Sequence, residues 1–495
     1  MAPLAQSKDK DAKGFRRPFQ RGGTWGSVEY SVVLGALITI VATVWIAQNF
    51  EQVWTIWRAE QTAEELVDDG ISNLGWKDHT VQITRLESAV ELGAVQCTGS
   101  FKAFVSVVSR YDRAESSALL LVVCLDGSPP AYYLDRGSGK GADKWIVHLE
   151  GGGWCRTAAE CLDRAFTQLG SSRYMPDEIY LGGMMSSNPA VNPDFYNWNR
   201  VKFKYCDGGS FFGEVNEALT MTQSMANHHS ERTATVYYRG MRVWNAVMTD
   251  LLAKGMENAT KGFLAGCSAG GLASTLQCDN FKNVMPEKAT VKCLSDAGFF
   301  VHMPDIKGQD SIESLYRDVV TLQNITERLP ESCTSVRDPS LCIFPTYRLS
   351  TITTPFFMLN PAYDNWQFYN VLIPSSADPS FDWESCKSNL ALCTEGQMEL
   401  VQGFRDVLLN QLKDLITNPK DGAFINSCYT HCQSEQDWSW SGADGPKING
   451  KTELLTTSGH LCIRQSISQV VGEWFNDDTA HIVVDCAYPC NPTCH

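Results

Sequence analysis

Apolar positions along the chain fall into two kinds of run. One is long and unbroken: Tyr30 to Gln48 holds 19 residues without a charge, close to the roughly 20 that a helix needs to cross a bilayer. The others are short and bounded by glycine, proline or polar residues. They are Lys144 to Leu149, the stretch from Val201, Gly262 to Ala265, Val291 to Ser295, Pro355 to Asn360 and His481 to Val484. Apolar runs of that length read as buried strands. Between them, the segment from Tyr238 places Trp244, Val247 and Leu251 at helical spacing, and the small residues from Gly270 open a second helix. Short strands alternating with helices predict an α/β domain with a mostly parallel sheet and helices on both faces.

The N-terminus stands apart. Residues 1–29 carry Lys8, Lys10, Lys13, Arg16, Arg17 and Arg21, and Trp25, Tyr30, Trp45 and Trp54 flank the apolar run. A basic flank stays cytosolic, and aromatics gather at the bilayer interface. The run is long for a signal peptide, it starts late, and no small-x-small cleavage site follows it. It therefore reads as a signal anchor rather than a cleaved leader or a core helix. The expected organisation is a cytosolic tail at 1–29, a transmembrane anchor at 30–48 and a stem at 49–80. A folded domain follows at 81–495, lumenal and most plausibly in the Golgi as a type II protein.

Composition changes the picture in two ways. A net charge of −15, spread along the chain, argues against nucleic acid as a partner. Eighteen cysteines, 17 of them from Cys124 to Cys494, fit an exported domain braced by disulfides. The groups Cys428-x-x-His431-Cys432 and Cys486-x3-Cys490-x3-Cys494-His495 have residue types that zinc could use, but an oxidising compartment favours pairing. Gly137-Ser-Gly-Lys-Gly-Ala lacks phosphate-loop spacing. No metal or cofactor is expected. Asn258-Ala-Thr and Asn324-Ile-Thr are glycosylation sequons.

The candidate chemistry begins at Gly266-Cys267-Ser268-Ala269-Gly270, a G-x-S-x-G turn between a strand and a helix. Such a nucleophile elbow lifts a serine hydroxyl above the sheet at a helix N-terminus. Just over 100 residues earlier, another strand feeds Glu150-Gly151-Gly152-Gly153-Trp154-Cys155. That is the order in which a hydrolase of the α/β-hydrolase kind places its oxyanion loop, with Ala269 N–H as the other donor. A serine nucleophile needs an acid and then a base downstream. Asp364, just past the strand from Pro355, is the preferred acid. Asp296, 28 residues after Ser268, is the alternative and more naturally shapes the pocket wall. For the base, His431 between Cys428 and Cys432 is preferred over His460; His481 opens a strand and His495 is terminal.

The segments His148-Leu-Glu-Gly-Gly-Gly-Trp-Cys155, Gly266-Cys-Ser-Ala-Gly-Gly271, Leu294-Ser-Asp-Ala-Gly298, Ser427-Cys-x-x-His-Cys432 and Asp485-Cys-Ala-Tyr-Pro-Cys-Asn-Pro-Thr-Cys-His495 resemble the pectin acetylesterase family, which also contains the Notum carboxylesterases. They are closer to the plant-type pectin acetylesterases. The resemblance, covering about Cys124 to His495, implies Ser268 as nucleophile, Asp364 as acid, His431 as base, and Gly153, Trp154 and Ala269 around the oxyanion hole. It implies an ester substrate: an O-acetyl group on a cell-wall polysaccharide, with a long acyl ester on a protein, or a non-catalytic carbohydrate binder, as alternatives. The chain departs from the family in its anchor and in residues 96–122, which stand between the family's entry helix, at Leu86 to Val95, and Cys124-Leu-Asp-Gly, and are read as an insert. Cys97 and Cys267 are expected to be the free thiols. Trp154, Tyr205, Phe211, Phe212, Tyr363, Trp366, Trp438 and Trp440 are offered as aromatic platforms for sugar rings. Arg156, Arg173, Lys202 and Lys204 are offered as a local basic patch.

Overall fold

A computed structural model of the chain describes residues 80–87, 122–224, 231–413, 419–449, 464–477 and 481–494. The apolar run at 30–48, the stem and nearly all of 96–122 lie outside these residues, as do Cys97, His460 and His495. Among the described residues no helix is long and apolar enough to cross a membrane.

The strands are β1 (Val81–Arg85), β2 (Ala131–Asp135), β3 (Lys144–Leu149), β4 (Glu178–Ile179), β5 (Asn199–Phe203), β6 (Leu219–Ser224), β7 (Glu231–Val236), β8 (Lys261–Cys267), β9 (Thr290–Asp296), β10 (Phe356–Asp364), β11 (Gly422–Thr430), β12 (Lys447–Asn449), β13 (Arg464–Ser466) and β14 (His481–Val484). Ten of them form one sheet in the order β14-β11-β10-β9-β8-β3-β5-β2-β1-β4. From β14 to β5 every pairing is parallel. The far edge reverses: β2 runs antiparallel to β5, β1 to β2 and β4 to β1. The principal helices are α1 (Ala158–Arg164), α2 (Gly240–Ala253), α3 (Ala269–Val284), α4 (Ser311–Leu322), α5 (Glu395–Lys413) and α6 (Ile467–Asn476).

Side chains of a strand alternate between faces, and here the two faces join different cores. Trp145, Val147, Leu149, Leu264, Phe356 and Met358 pack with Val243 and Trp244 of α2, Phe281 of α3 and Leu408 of α5. Their neighbours Ile146, Phe263, Phe357 and Leu359 pack with Val470 and Trp474 of α6. Burial on both faces explains why these strands read as continuous apolar runs in the sequence.

Eight disulfides join described residues: Cys124–Cys206, Cys155–Cys161, Cys267–Cys432, Cys278–Cys293, Cys333–Cys342, Cys386–Cys393, Cys428–Cys494 and Cys486–Cys490. The expectation of a free thiol at Cys267 is therefore wrong. As the last residue of β8, Cys267 faces the chain leaving β11, and its Cα lies 5.6 Å from that of Cys432, well inside bridging range. The cysteines weighed as zinc ligands at 428, 432, 486, 490 and 494 are all paired.

Candidate active site

At the end of β8 the chain passes from strand to helix at one residue. β8 stops at Cys267, α3 starts at Ala269, and Ser268 between them takes φ 59°, ψ −124°. A left-handed backbone is costly for a residue with a side chain. The surroundings enforce it. Ser268 N–H donates to the carbonyl of Asp296 at 2.8 Å, and its own carbonyl accepts from Leu272 N–H at 2.9 Å, closing the first turn of α3. The flanking glycines are steric requirements: a Cβ at Gly266 would overlap the carbonyl oxygen of Gly270, and one at Gly270 would overlap that of Leu149.

The loop after β3 packs directly on this elbow, since a Cβ at Gly151 would stand 2.9 Å from that of Ser268. Gly152 and Gly153 take φ 136° and 63°. Side chains from elsewhere pin their backbone. Arg164 Nη1 donates to Gly152 O (2.8 Å) and Tyr205 Oη to Gly153 O (2.9 Å). Trp154 Nε1 donates to Ser210 Oγ (2.8 Å), which in turn donates to Ala269 O (2.8 Å). Ser210 thereby ties the glycine loop to the first residue of α3. Glu150 is held by Lys204 and by Tyr205 N–H (2.9 Å).

Asp364 ends β10 and is fully buried. Its Oδ1 caps the short helix Asn365–Gln367 through Gln367 N–H (2.9 Å), and its Oδ2 accepts from His431 Nδ1 at 2.7 Å. His431 follows β11 by one residue. The pairing of β10 with β11 shifts register between Pro361 and Tyr363, so that Asp364 comes to lie opposite Thr430. An irregularity of this kind re-aims the side chains beyond it. Trp366 stacks on the His431 ring at 6.2 Å and 25°. Burial pulls the His431 pKa down, but the charge and hydrogen bond of Asp364, with smaller contributions from Asp296 and Glu435, outweigh it and leave the pKa raised. Nε2 is buried with no partner among the described residues. The Cys267–Cys432 disulfide joins the residue before Ser268 to the residue after His431.

Asp296, the alternative acid, ends β9 and does not touch His431. Its Oδ2 accepts from Gln433 N–H, Ser434 N–H and Ser434 Oγ, each at 2.7 Å. Five of the aromatics offered as sugar platforms, Tyr205, Phe211, Phe212, Tyr363 and Trp440, are core residues. Trp154 and Trp366 are half-buried, while Trp438 is exposed. Of the proposed basic patch, Lys202 and Lys204 are spent on Glu435 and Glu150, Arg156 pairs with Glu160 and Arg173 with Asp126. The sequence had drawn attention to neither Arg164 nor Ser210. Ser210 carried a signal, as the polar residue ending a Cys206-Asp-Gly-Gly turn; Arg164 carried none.

The Pectinacetylesterase family model matches residues 114–495. Pectin acetylesterase 7 of Arabidopsis thaliana is 44% identical over 75% of this chain and 89% of its own length; pectin acetylesterase 11 of the same plant is 44% identical over 77% and 91%. The palmitoleoyl-protein carboxylesterase NOTUM of Mus musculus is 26% identical over 75% and 70%. The crystal structure of the Wnt deacylase Notum from Drosophila superposes with a TM-score of 0.60 at 20% identity, covering 84% of this chain and all of that one, which establishes a shared fold. The chain belongs to the pectinacetylesterase family and is a carboxylic ester hydrolase.

Proposed function

We propose that the protein removes O-acetyl groups from a cell-wall polysaccharide such as pectin, by acyl transfer to Ser268. One observation carries the mechanism: the buried Asp364–His431 pair, 2.7 Å apart, is bridged to the nucleophile elbow by a disulfide between the neighbours of Ser268 and His431. Ser268 Oγ attacks the ester carbonyl carbon while His431 Nε2 takes its proton. Asp364 holds the tautomer that leaves Nε2 free and stabilises the imidazolium. The N–H groups of Ala269 and the Gly153–Trp154 turn face the developing oxyanion at a helix N-terminus. The sugar hydroxyl leaves with the proton from His431, and water, activated by the same base, then releases acetate. No metal or cofactor enters these steps.

The packing supports a short acyl group. The Trp154 ring interlocks edge-to-face with Phe300, Tyr316 and Trp366, at 4.9, 5.1 and 5.9 Å. These rings take up apolar volume beside the oxyanion loop. A long chain would gain about 0.8 kcal/mol per buried CH₂ only if that volume were open to it. The exposed Trp438 and half-buried Trp366 are the surfaces left for a sugar ring. The alternative, a long acyl ester on a protein, draws on the Notum relatives. Acetate release from acetylated pectin, set against hydrolysis of nitrophenyl esters of increasing length, decides between them; a strong preference for eight or more carbons defeats the polysaccharide reading. A fluorophosphonate that fails to label Ser268 would point instead to a non-catalytic carbohydrate binder. The disulfides fit an extracellular or secretory setting. Anchoring through residues 30–48 in the Golgi belongs to the same proposal and is tested by protease protection in intact microsomes: digestion of the C-terminal domain without detergent would reverse the topology.

A further inference from the structure

We infer that Asp296 is a positioning residue of the hydrolytic site: its carboxylate locks the loop that carries His431 to the elbow that carries Ser268. The inference rests on the proposed roles of those two residues. In the sheet register Asp296 stands opposite Cys267 on one side and Leu359 on the other, at the C-terminal edge between β8 and β10. Its backbone carbonyl receives the N–H of Ser268. Its side chain receives three hydrogen bonds from Gln433 and Ser434, two and three residues past His431. One residue thus grips the nucleophile through its main chain and the base loop through its side chain. The next residue, Ala297, is held at φ 48°, a left-handed conformation that a non-glycine residue adopts at a cost. Its N–H donates to Leu359 O at 2.8 Å, which fixes the turn from the other side.

A neutral acceptor of the same shape would suffice for the hydrogen bonds alone. The carboxylate is instead kept where its charge is expensive. Asp296 is fully buried and its Oδ1 has no partner among the described residues. Burial pushes its pKa up to about 6, against the pull of the Ser434 and Gln433 hydrogen bonds. A carboxyl raised in the folded state destabilises the fold as pH rises through the unfolded value, and fully so above about 6. Retaining such a group costs stability, and its charge reaches His431. The charged groups around His431 are Asp364 on β10, Asp296 on β9 and Glu435 on its own loop, all of which favour the imidazolium. Glu435 is itself compensated by Lys202 and Lys204, while His148 beside it is fully buried and neutral, its pKa driven down to about 3 by burial and by Lys202. Among the described residues, by comparison, no cation is bonded to Asp296. Its charge stabilises His431 after the proton transfer, while its three bonds keep the ring in place.

Asp296→Asn separates the two contributions, because an amide oxygen keeps the three acceptor bonds and loses the charge; Asp296→Ala loses both. With acetylated substrate, Asn is expected to lower kcat/KM about tenfold, a fraction of what a positioned base supplies. It should also move the acid limb of the pH profile to lower pH, since the imidazolium is less favoured. Alanine should cost at least a hundredfold, so that Asn rescues most of the loss. A shifted acid limb in a fully folded Asn variant is what a purely structural residue cannot produce. Asn and Ala variants both within twofold of wild type with an unmoved acid limb would overturn the inference, as would an Asn variant whose activity falls only in step with its folded fraction. If wild-type enzyme fails to react with a fluorophosphonate at Ser268, the proposed mechanism itself falls, an outcome these variants do not mimic.

Discussion

The two halves of the site are built by different means. The proposed nucleophile half, Glu150 to Trp154 and Gly266 to Gly270, is mostly backbone geometry: glycines, one left-handed serine and a helix N-terminus, seated on one another by close backbone contacts. The base half, Asp364 and His431, is held by partners far away in sequence: a register shift between β10 and β11, a disulfide spanning 165 residues and a carboxylate 137 positions from Gln433. Steric exclusion of side chains fixes much of the first half, and Arg164, Tyr205 and Ser210 pin the rest. The second depends on the tertiary structure being correct around it. Loss of the Ser268 hydroxyl should remove chemistry outright, while loosening the long-range ties of the base half should misplace it by degrees.

The largest effect tests the first half. Ser268→Ala should lower kcat by about 10⁶ with little change in Tm, since only oxyanion-hole and binding contributions would remain. Near-wild-type esterase activity in that variant would sink the assignment. Next is the partner in the second half. Asp364→Asn should cost about 10⁴, the loss seen when the carboxylate that fixes a catalytic histidine becomes an amide. It also carries a pH signature. Protonated His431 cannot accept the serine proton, so activity falls as pH drops through its pKa, which the structure holds above the usual histidine value. Removing the Asp364 charge takes away the largest contribution raising that pKa, and the acid limb should shift to lower pH. Stability runs the opposite way: the His431–Asp364 pair stabilises most below the unfolded histidine pKa and loses that contribution as pH rises through the folded one. An unchanged acid limb in Asp364→Asn would break the link between the pair and catalysis.

This division also explains what could be read without coordinates. The elbow and the glycine loop were legible because their chemistry is local: Gly266, Ser268 and Gly270 stand at fixed offsets, and the strands before them are continuous apolar runs. Asp364 was legible as a polar residue at the end of such a run. His431 could be preferred over His460 only by its flanking cysteines, and the partner of Cys432 could not be named, because nothing in a linear spacing places β8 beside β11. The same limit misjudged Cys267. The antiparallel edge went unseen for another reason: β4 has two residues and β1 five, too short to carry a periodic signal. Aromatic residues misled most. Tyr205 and Trp440 look like sugar platforms in sequence, yet both are fully buried. Residue type cannot distinguish a stacking face from a core ring.

The disulfide between the halves gives an intermediate effect. Replacing Cys267 and Cys432 together with serine should lower kcat/KM by tenfold to a hundredfold, the range expected when reacting groups drift by up to about 1 Å. Stability should fall by about 2–4 kcal/mol. The informative control is Cys333 and Cys342, paired across only nine positions in another part of the chain. Their replacement should lower Tm slightly and leave kcat/KM unchanged. Equal losses of activity in both double variants would mean that the Cys267–Cys432 bond stabilises the domain without positioning the base.

The smallest effect belongs to the link that joins the glycine loop to α3. Ser210 Oγ accepts from Trp154 Nε1 and donates to Ala269 O, so it spans the two proposed sources of oxyanion N–H groups. Ser210→Ala leaves the half-buried indole N–H without its acceptor, at a cost of about 1 kcal/mol. The loss in kcat should nonetheless stop at about threefold to tenfold. Arg164 still holds Gly152 O and Tyr205 still holds Gly153 O, so the loop can relax only where Trp154 was tied. Ser210 sits at φ 55°, so Ser210→Gly relieves backbone strain while removing the same hydroxyl. If the hydroxyl is what matters, Gly and Ala should lose the same kcat although Gly is the less strained of the two. If strain is what matters, Ala, which keeps the Cβ and so the strain, should retain wild-type kcat and Gly should not. KM should move little in either, since the oxyanion forms after binding. A kcat unchanged in both would show that the glycine loop is positioned by its own backbone and its Arg164 and Tyr205 contacts alone.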